Sequence, residues 1–260
     1  MKELSIHQKH RILYITLNRP EKRNALTCDM CSGIAEAVAS AQNREDIGVI
    51  FIAAAGQVFC AGMDLDEAVL PHHNLAAAHE DLFTMGANSL KPIVMCVNGP
   101  ALGGGLGLVA QGHVVLAGEA VVFGLPEIRI GLWPFLVYRS VEAALGARRT
   151  LELSLVGRVF HAPDALEWGL VHQLCPPSEV CERANALARD LAKASPSAIA
   201  AGMQYFRDSR GKSPREAGEI AAKLRTHLME CGDFQEGCAA FKEKREPHWP
   251  SMQQEFYGKP

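Results

Sequence analysis

Three short stretches carry the residue types and spacings from which chemistry can be built. Asn98–Leu108, NGPALGGGLGL, places five glycines among eleven residues with no charged side chain. It follows an apolar run, PIVMCV, that reads as a buried strand. FCAGMDL (59–65) sets the small residues Cys60, Ala61 and Gly62 after a second apolar strand. FGLPEIRIGLWP (123–134) holds one carboxylate, Glu127, in a Pro-Glu-x-x-x-Gly frame, with Leu132, Trp133 and Phe135 close behind. Ligand sites in α/β sheets gather at strand ends, so the three loops are expected to converge.

The glycine stretch admits several chemistries. Gly105–Ala110 matches G-x-G-x-x-A, the pattern of a dinucleotide-binding turn. That turn starts directly at a strand end and has an acidic residue about 20 positions on. Here the seven residues NGPALGG intervene, and Glu127 lies in a different kind of segment. A Walker loop is excluded because no Gly-Lys-Ser/Thr follows. A packing device, backbone against backbone, is a second reading. The third is a backbone anion site: glycines opening a helix leave N–H groups free, and the helix dipole favours negative charge there. Paired with an N–H from CAGMD, such a donor makes an oxyanion hole.

The elements that must position these loops follow from patterning. ELSIHQKHRILYITLN reads as two short strands, and Thr27 as the N-cap of a helix running to about Gln42. IGVIFIAAA reads as a buried parallel strand, 72–90 as a helix, 93–97 and 113–117 as further strands. Residues 134–155 and 163–169 look helical, and LVHQL is one more strand. The span 178–243 is nearly all helical pattern, broken at Pro196 and at Ser213-Pro214. Strands with crossover helices followed by helices alone predict an α/β core, 1–195, with a helical C-terminal region, 196–260, in the same assembly.

Composition narrows the function class. Of 260 residues, 48% are hydrophobic and 21% charged, with a net charge of −3, which is a soluble globular balance without the basic surplus of a nucleic-acid binder. No apolar run approaches the roughly 20 residues of a membrane span, and the first residues alternate too closely for a signal peptide. A cytoplasmic location is expected, with an organelle matrix as the alternative. Of eight cysteines only Cys28 and Cys31 are closely spaced, and the ten histidines contain no His-Glu-x-x-His. Most thiols lie in apolar stretches, so they read as small hydrophobes and no metal site is expected.

NRPEKRNALT, FCAGMDL, KPIVMCVNGPALGGGLGL, AVVFGLPEIRIGLWP and EGCAAFKEKREPHW, in that order over nearly the whole chain, resemble the crotonase family of enoyl-CoA hydratases and isomerases. The resemblance implies a spiral of ββα units, a C-terminal helical region used in trimerisation (a homotrimer or homohexamer), and an acyl-CoA substrate with no metal or redox cofactor. It implies that the N–H groups of Ala61 and Gly104 hold the thioester oxygen and that Glu127 is catalytic. It further implies that Arg23 with Lys22 meets the CoA phosphates, that Ala25, Met63, Asp64, Leu65, Gly103 and Trp133 lie along the substrate path, and that Phe241 and Lys244 reach the nucleotide across a subunit boundary. Asp64 also suits a purely local role, bonding the N–H groups of its own loop.

One departure bears on the reaction. Hydratases of this family carry a second glutamate, and here that position is Gly107. One carboxylate suffices to move a proton from carbon 2 to carbon 4 of a 3-enoyl-CoA, which resembles the layout of Δ3,Δ2-enoyl-CoA isomerases. Hydration with a single glutamate is the alternative, and a non-catalytic acyl-CoA-binding subunit is an alternative of another class. Ring closure or dehalogenation is disfavoured because Ile128–Tyr138 contains no carboxylate, Ser or Thr. Trp133 and Phe135 read most simply as core, although with Leu132 they would wall an acyl pocket. His72, His73 and His79 read as solvent-facing on a helix that caps the site in the family; one of them is a possible second acid.

Overall fold

The computed structural model describes residues 3–69 and 75–252. The two N-terminal runs form an antiparallel hairpin, β1 (Leu4–Lys9) and β2 (Ile12–Leu17), turned by His10 and Arg11 at positive φ. Thr27 caps α1 (Cys28–Ala41), its side chain accepting from the Met30 N–H. β3 (Val49–Ala54), β4 (Ile93–Val97), β6 (Val114–Gly118) and β9 (Gln173–Cys175) extend the sheet in parallel, in the order β1-β2-β3-β4-β6-β9.

The unbroken apolar run of β3 reflects burial on both faces. Val49 and Phe51, with Ile12, Val94, Cys96 and Leu116, pack under the alanine face of α8 (Val180–Lys193). Ile50 and Ile52 point the other way, into the larger core with α1 and α3 (Leu75–Asn88). Cys31, Cys60, Cys96 and Cys175 are buried as expected of small apolar groups, whereas Cys181 and Cys238 are exposed.

A second, three-stranded sheet was not legible in the sequence. β5 (Ala101–Leu102) pairs in parallel with β7 (Val122–Gly124), which pairs antiparallel with β8 (Val159–His161). Strands of two or three residues are too short to show a period. The glycine stretch opens α4 (Gly104–Val109) directly after β5.

The expected elements need three further adjustments. The expected helix 134–155 is two helices, α5 (Phe135–Leu145) and α6 (Ala147–Val156), because Gly146 takes φ 79 and ψ 156. LVHQL contributes only its end to β9, because the Leu170 and Val171 N–H groups turn back to Ala165 O and close α7 (Ala162–Glu167). The C-terminal span holds α9 (Pro196–Asp208), α10 (Pro214–Glu230) and α11 (Gly232–Glu243), with a further break at Cys231. Among the described residues no helix is long and apolar enough to cross a membrane.

Candidate active site

The three loops singled out by sequence meet around one cavity of 410 Å³. Their convergence is built by backbone pairing. Cys60 N–H donates to Pro100 O (3.1 Å) and Leu102 N–H to Cys60 O (3.0 Å), tying the 59–65 loop to the glycine stretch. A Cβ on Gly105 would stand 2.4 Å from Cys60 O, so that glycine is required by the close approach. The packing reading therefore holds for part of the stretch.

Pairing also places the carboxylate. Leu102 stands opposite Gly124, and the Gly103 N–H donates to Gly124 O at 2.8 Å. Pro126 then starts a 3-10 turn over Pro126–Ile130, ended by Gly131 at φ 76, and the Leu132 N–H donates to Glu127 O (3.0 Å). The Pro-Glu-x-x-x-Gly frame is thus a compact turn that aims Glu127 inward. Its Oε1 lies 2.7 Å from where a Gly103 Cβ would be, and its Oε2 is buried without a partner among the described residues. Burial pushes the carboxyl up from 4.5 to about 6, into the range of a neutral-pH acid/base group. Among the described residues Glu127 is the single carboxylate of the cavity wall.

The second backbone donor differs from expectation. The Ala61 N–H is already spent on Arg23 O (3.0 Å), and the Gly62 N–H faces its own neighbour Cys60 Sγ (3.4 Å). Ala61 is therefore not a free donor, although it lines the cavity. Met63 is the free one. Leu26 N–H donates to Gly62 O (2.7 Å) and Asp64 N–H to Leu26 O (2.9 Å), so strand-like alternation turns the Met63 N–H to the opposite side. Met63 N lies 3.6 Å from the would-be Cβ of Gly104. Neither Met63 N–H nor Gly104 N–H has a hydrogen-bond partner among the described residues. Two unpaired donors from two loops thus face one end of the cavity, beside Glu127.

Gly103, Leu65 and Trp133 also line the cavity. Trp133 stacks on Tyr138 with ring centroids 6.2 Å apart, and Phe135 is 71% exposed at the mouth, so neither is core. At Gly107 a Cβ would lie 2.8 Å from Val137 Cγ1 and 3.0 Å from Phe83 Cε1. The space of a second carboxylate is therefore filled by apolar side chains. His79, expected to face solvent, is 8% exposed and lines the cavity; His72 and His73 lie outside the described residues. Its burial follows from the packing of α3 against α1 and α5, which no single-helix pattern reveals.

The remaining expected contacts lie outside the cavity wall. Arg23, Phe241 and Lys244 are exposed, and Ala25 serves locally, its carbonyl accepting from Arg19 (3.2 Å). Lys22 pairs with Asp66 at 3.1 Å. Asp64 caps the short helix α2 (Leu65–Ala68) by accepting from the Asp66 and Glu67 N–H groups, and it pairs with Arg19 at 2.5 Å. Arg19 holds this carboxyl below its usual 3.8. Its stabilisation is present above that ordinary pKa and is lost as pH falls through the lower folded-state value. Asp64→Ala is expected to cost about 1–2 kcal/mol at pH 7, since it removes a cap and one of the two carboxylates paired with Arg19, which keeps Glu3 at 2.9 Å. Denaturant unfolding at pH 7 and pH 3 should show this cost shrinking in acid.

A family model described as enoyl-CoA hydratase/isomerase matches residues 7–253. A putative enoyl-CoA hydratase of Thermus thermophilus is 31% identical, covering 93% of this chain and 98% of the relative. The 2,3-dehydroadipyl-CoA hydratase of Escherichia coli is 34% identical over 95% of this chain and 98% of its own length. Among solved structures, the enoyl-CoA hydratase of Mycobacterium smegmatis superposes with a TM-score of 0.90 at 26% identity, over 96% of this chain and 99% of the other. Human enoyl-CoA hydratase domain-containing protein 3 does so with a TM-score of 0.90 at 26% identity, over 95% and 100%. With its mixed α/β spiral, C-terminal helices and paired backbone donors, the chain belongs to the enoyl-CoA hydratase/isomerase family.

Proposed function

We propose that the protein moves a double bond in an acyl-CoA thioester, converting a 3-enoyl-CoA to the 2-enoyl-CoA, with Glu127 as the single acid and base. The observation that carries this reading is the single carboxylate of the cavity wall among the described residues: Glu127 faces the cavity, and Val137 and Phe83 fill the place of a second one. The thioester oxygen sits between the N–H groups of Met63 and Gly104. Glu127 takes a proton from carbon 2. The C–H electron pair forms a C1–C2 double bond as the carbonyl pair moves onto the thioester oxygen. The C3–C4 double bond, conjugated with this enolate, makes it a dienolate nucleophilic at carbon 4. Each preorganised donor stabilises that oxyanion by about 3 kcal/mol. The protonated Glu127 then delivers the proton to carbon 4, leaving the double bond between carbons 2 and 3. The apolar wall of Leu132, Trp133 and Val137 keeps water from competing at carbon 3. Arg23, exposed outside the cavity, is the proposed contact for the CoA phosphates.

Hydration is the second reading, favoured by the hydratase names of the relatives. A substitution at position 107 separates the two. Gly107→Glu alone is expected to cost about 1–3 kcal/mol through overpacking against Val137 and Phe83, without creating a hydratase. Gly107→Glu with Val137→Ala opens that space and should gain 3-hydroxyacyl-CoA formation from 2-enoyl-CoA. Efficient hydration by the unaltered protein would instead favour the second reading. A binding-only subunit is disfavoured because it has no use for a carboxylate held unpaired in an apolar cavity.

A further inference from the structure

His79 is a polar group of the cavity wall that the chemistry above leaves unused. Its ring leans on Phe83, centroids 5.8 Å apart, and it makes no hydrogen bond among the described residues. Two other histidines of this fold meet backbone partners. His113 Nδ1 accepts from the Ile93 N–H (2.9 Å) while its Nε2 meets Gly86 O (3.0 Å), and His172 Nδ1 accepts from the Val115 N–H (3.0 Å). An imidazole so buried and unpaired has lost its water without gaining a partner, a cost that a partner supplied by the ligand would offset.

We propose that His79 recognises a hydroxyl carried by the acyl chain beyond the carbons that react, so that the substrate class is a hydroxylated acyl-CoA. Three observations select that chemistry, given the acyl-CoA reading on which it rests. First, burial lowers the pKa of His79 and favours the neutral ring, which offers one donor and one acceptor; a hydroxyl can answer either, a ketone only the donor. Second, a carboxylate would share the cavity with Glu127, whose own carboxyl oxygen is buried without a partner among the described residues. Third, Phe83 packs beside the donors, its ring atoms 3.6 Å from a Gly104 Cβ and 3.0 Å from a Gly107 Cβ. His79 lies one helical turn away from Phe83 along α3 and lines the same cavity, which leaves it free to meet a part of the chain other than the reacting carbons.

The test uses binding as well as turnover. Calorimetric affinities of the wild-type protein are measured for saturated acyl-CoA thioesters of equal length, unsubstituted or hydroxylated at successive positions from carbon 5. A preference of about tenfold for one hydroxylated isomer is expected, the size of one buried hydrogen bond. His79→Phe should abolish that preference while leaving the affinity for the unsubstituted thioester within about twofold, and His79→Gln should keep part of it. Circular dichroism confirms that the variants fold. Equal affinities for all isomers in the wild type would overturn the proposal, as would His79→Phe weakening both classes alike. Saturated thioesters are not turned over, so this outcome does not depend on the isomerisation reading. That reading is checked separately by 2-enoyl-CoA formation from the matched 3-enoyl thioesters.

Discussion

Replacing Glu127 by glutamine is expected to cut turnover of a 3-enoyl-CoA by about 10³-fold or more while making the protein more stable at pH 7. The amide keeps the shape of the side chain but can neither take the proton from carbon 2 nor return it at carbon 4. The stability gain follows from the same burial that makes the group useful. Glu127 has its carboxyl raised from 4.5 to about 6 by desolvation. Below pH 4.5 folded and unfolded chains are both protonated there, and the site costs nothing. Between 4.5 and 6 the folded protein holds the extra proton, so wild-type stability falls as pH rises, and above 6 the full cost of about 2 kcal/mol is present. Glu127→Gln removes that cost, so its advantage should appear in denaturant unfolding at pH 7 and vanish near pH 4. The same ionisation gives wild-type kcat/KM a single acid limb with a midpoint near 6. A variant that lost stability at pH 7 and kept its turnover would contradict both the burial and the role.

The second large effect is expected at Gly103. This residue takes φ 52 and ψ −121, a left-handed conformation open in practice to glycine, and its added Cβ would meet Glu127 Oε1 at 2.7 Å. Gly103→Ala therefore strains the turn into α4 and pushes the carboxylate off its line to carbon 2. A stability loss of about 1–3 kcal/mol is expected from the backbone alone. A fall in kcat of about 10²-fold is expected from a displacement near 1 Å. KM should change much less, because the thioester oxygen is held by the neighbouring Gly104 and by Met63. Steady-state kinetics and thermal unfolding on the same preparation separate the two contributions. Unchanged kcat would mean that the carboxylate does not act from beside Gly103.

Much of the site is legible in the residues, and the reasons for the misses are physical. The Pro-Glu-x-x-x-Gly frame announces a turn because proline presets its start and Gly131, at φ 76, ends it. The alternation of Ile12–Leu17 and the capping Thr27 mark β2 and α1 through local chemistry alone. The choice between Ala61 and Met63 as donor is not local. It depends on which N–H groups of the 59–65 loop are consumed by Arg23 and Leu26, pairings across more than thirty residues. The burial of His79 is non-local for the same reason: the sequence of its helix reads as solvent-facing there, and packing of α3 against α1 and α5 hides the ring. Gly107 was legible as a missing carboxylate, but its filling by Val137 and Phe83 was not.

The central claim, that one carboxylate and two backbone donors shift a double bond in this cavity, is tested most directly by supplying a 3-enoyl-CoA and, separately, the matching 2-enoyl-CoA. Absorbance of the conjugated thioester and chromatography of 3-hydroxyacyl-CoA are followed in both. The account predicts fast appearance of the 2-enoyl thioester from the first substrate and little hydration of the second. Rapid 3-hydroxyacyl-CoA formation from the 2-enoyl substrate, with the 3-enoyl substrate left unchanged, would contradict it.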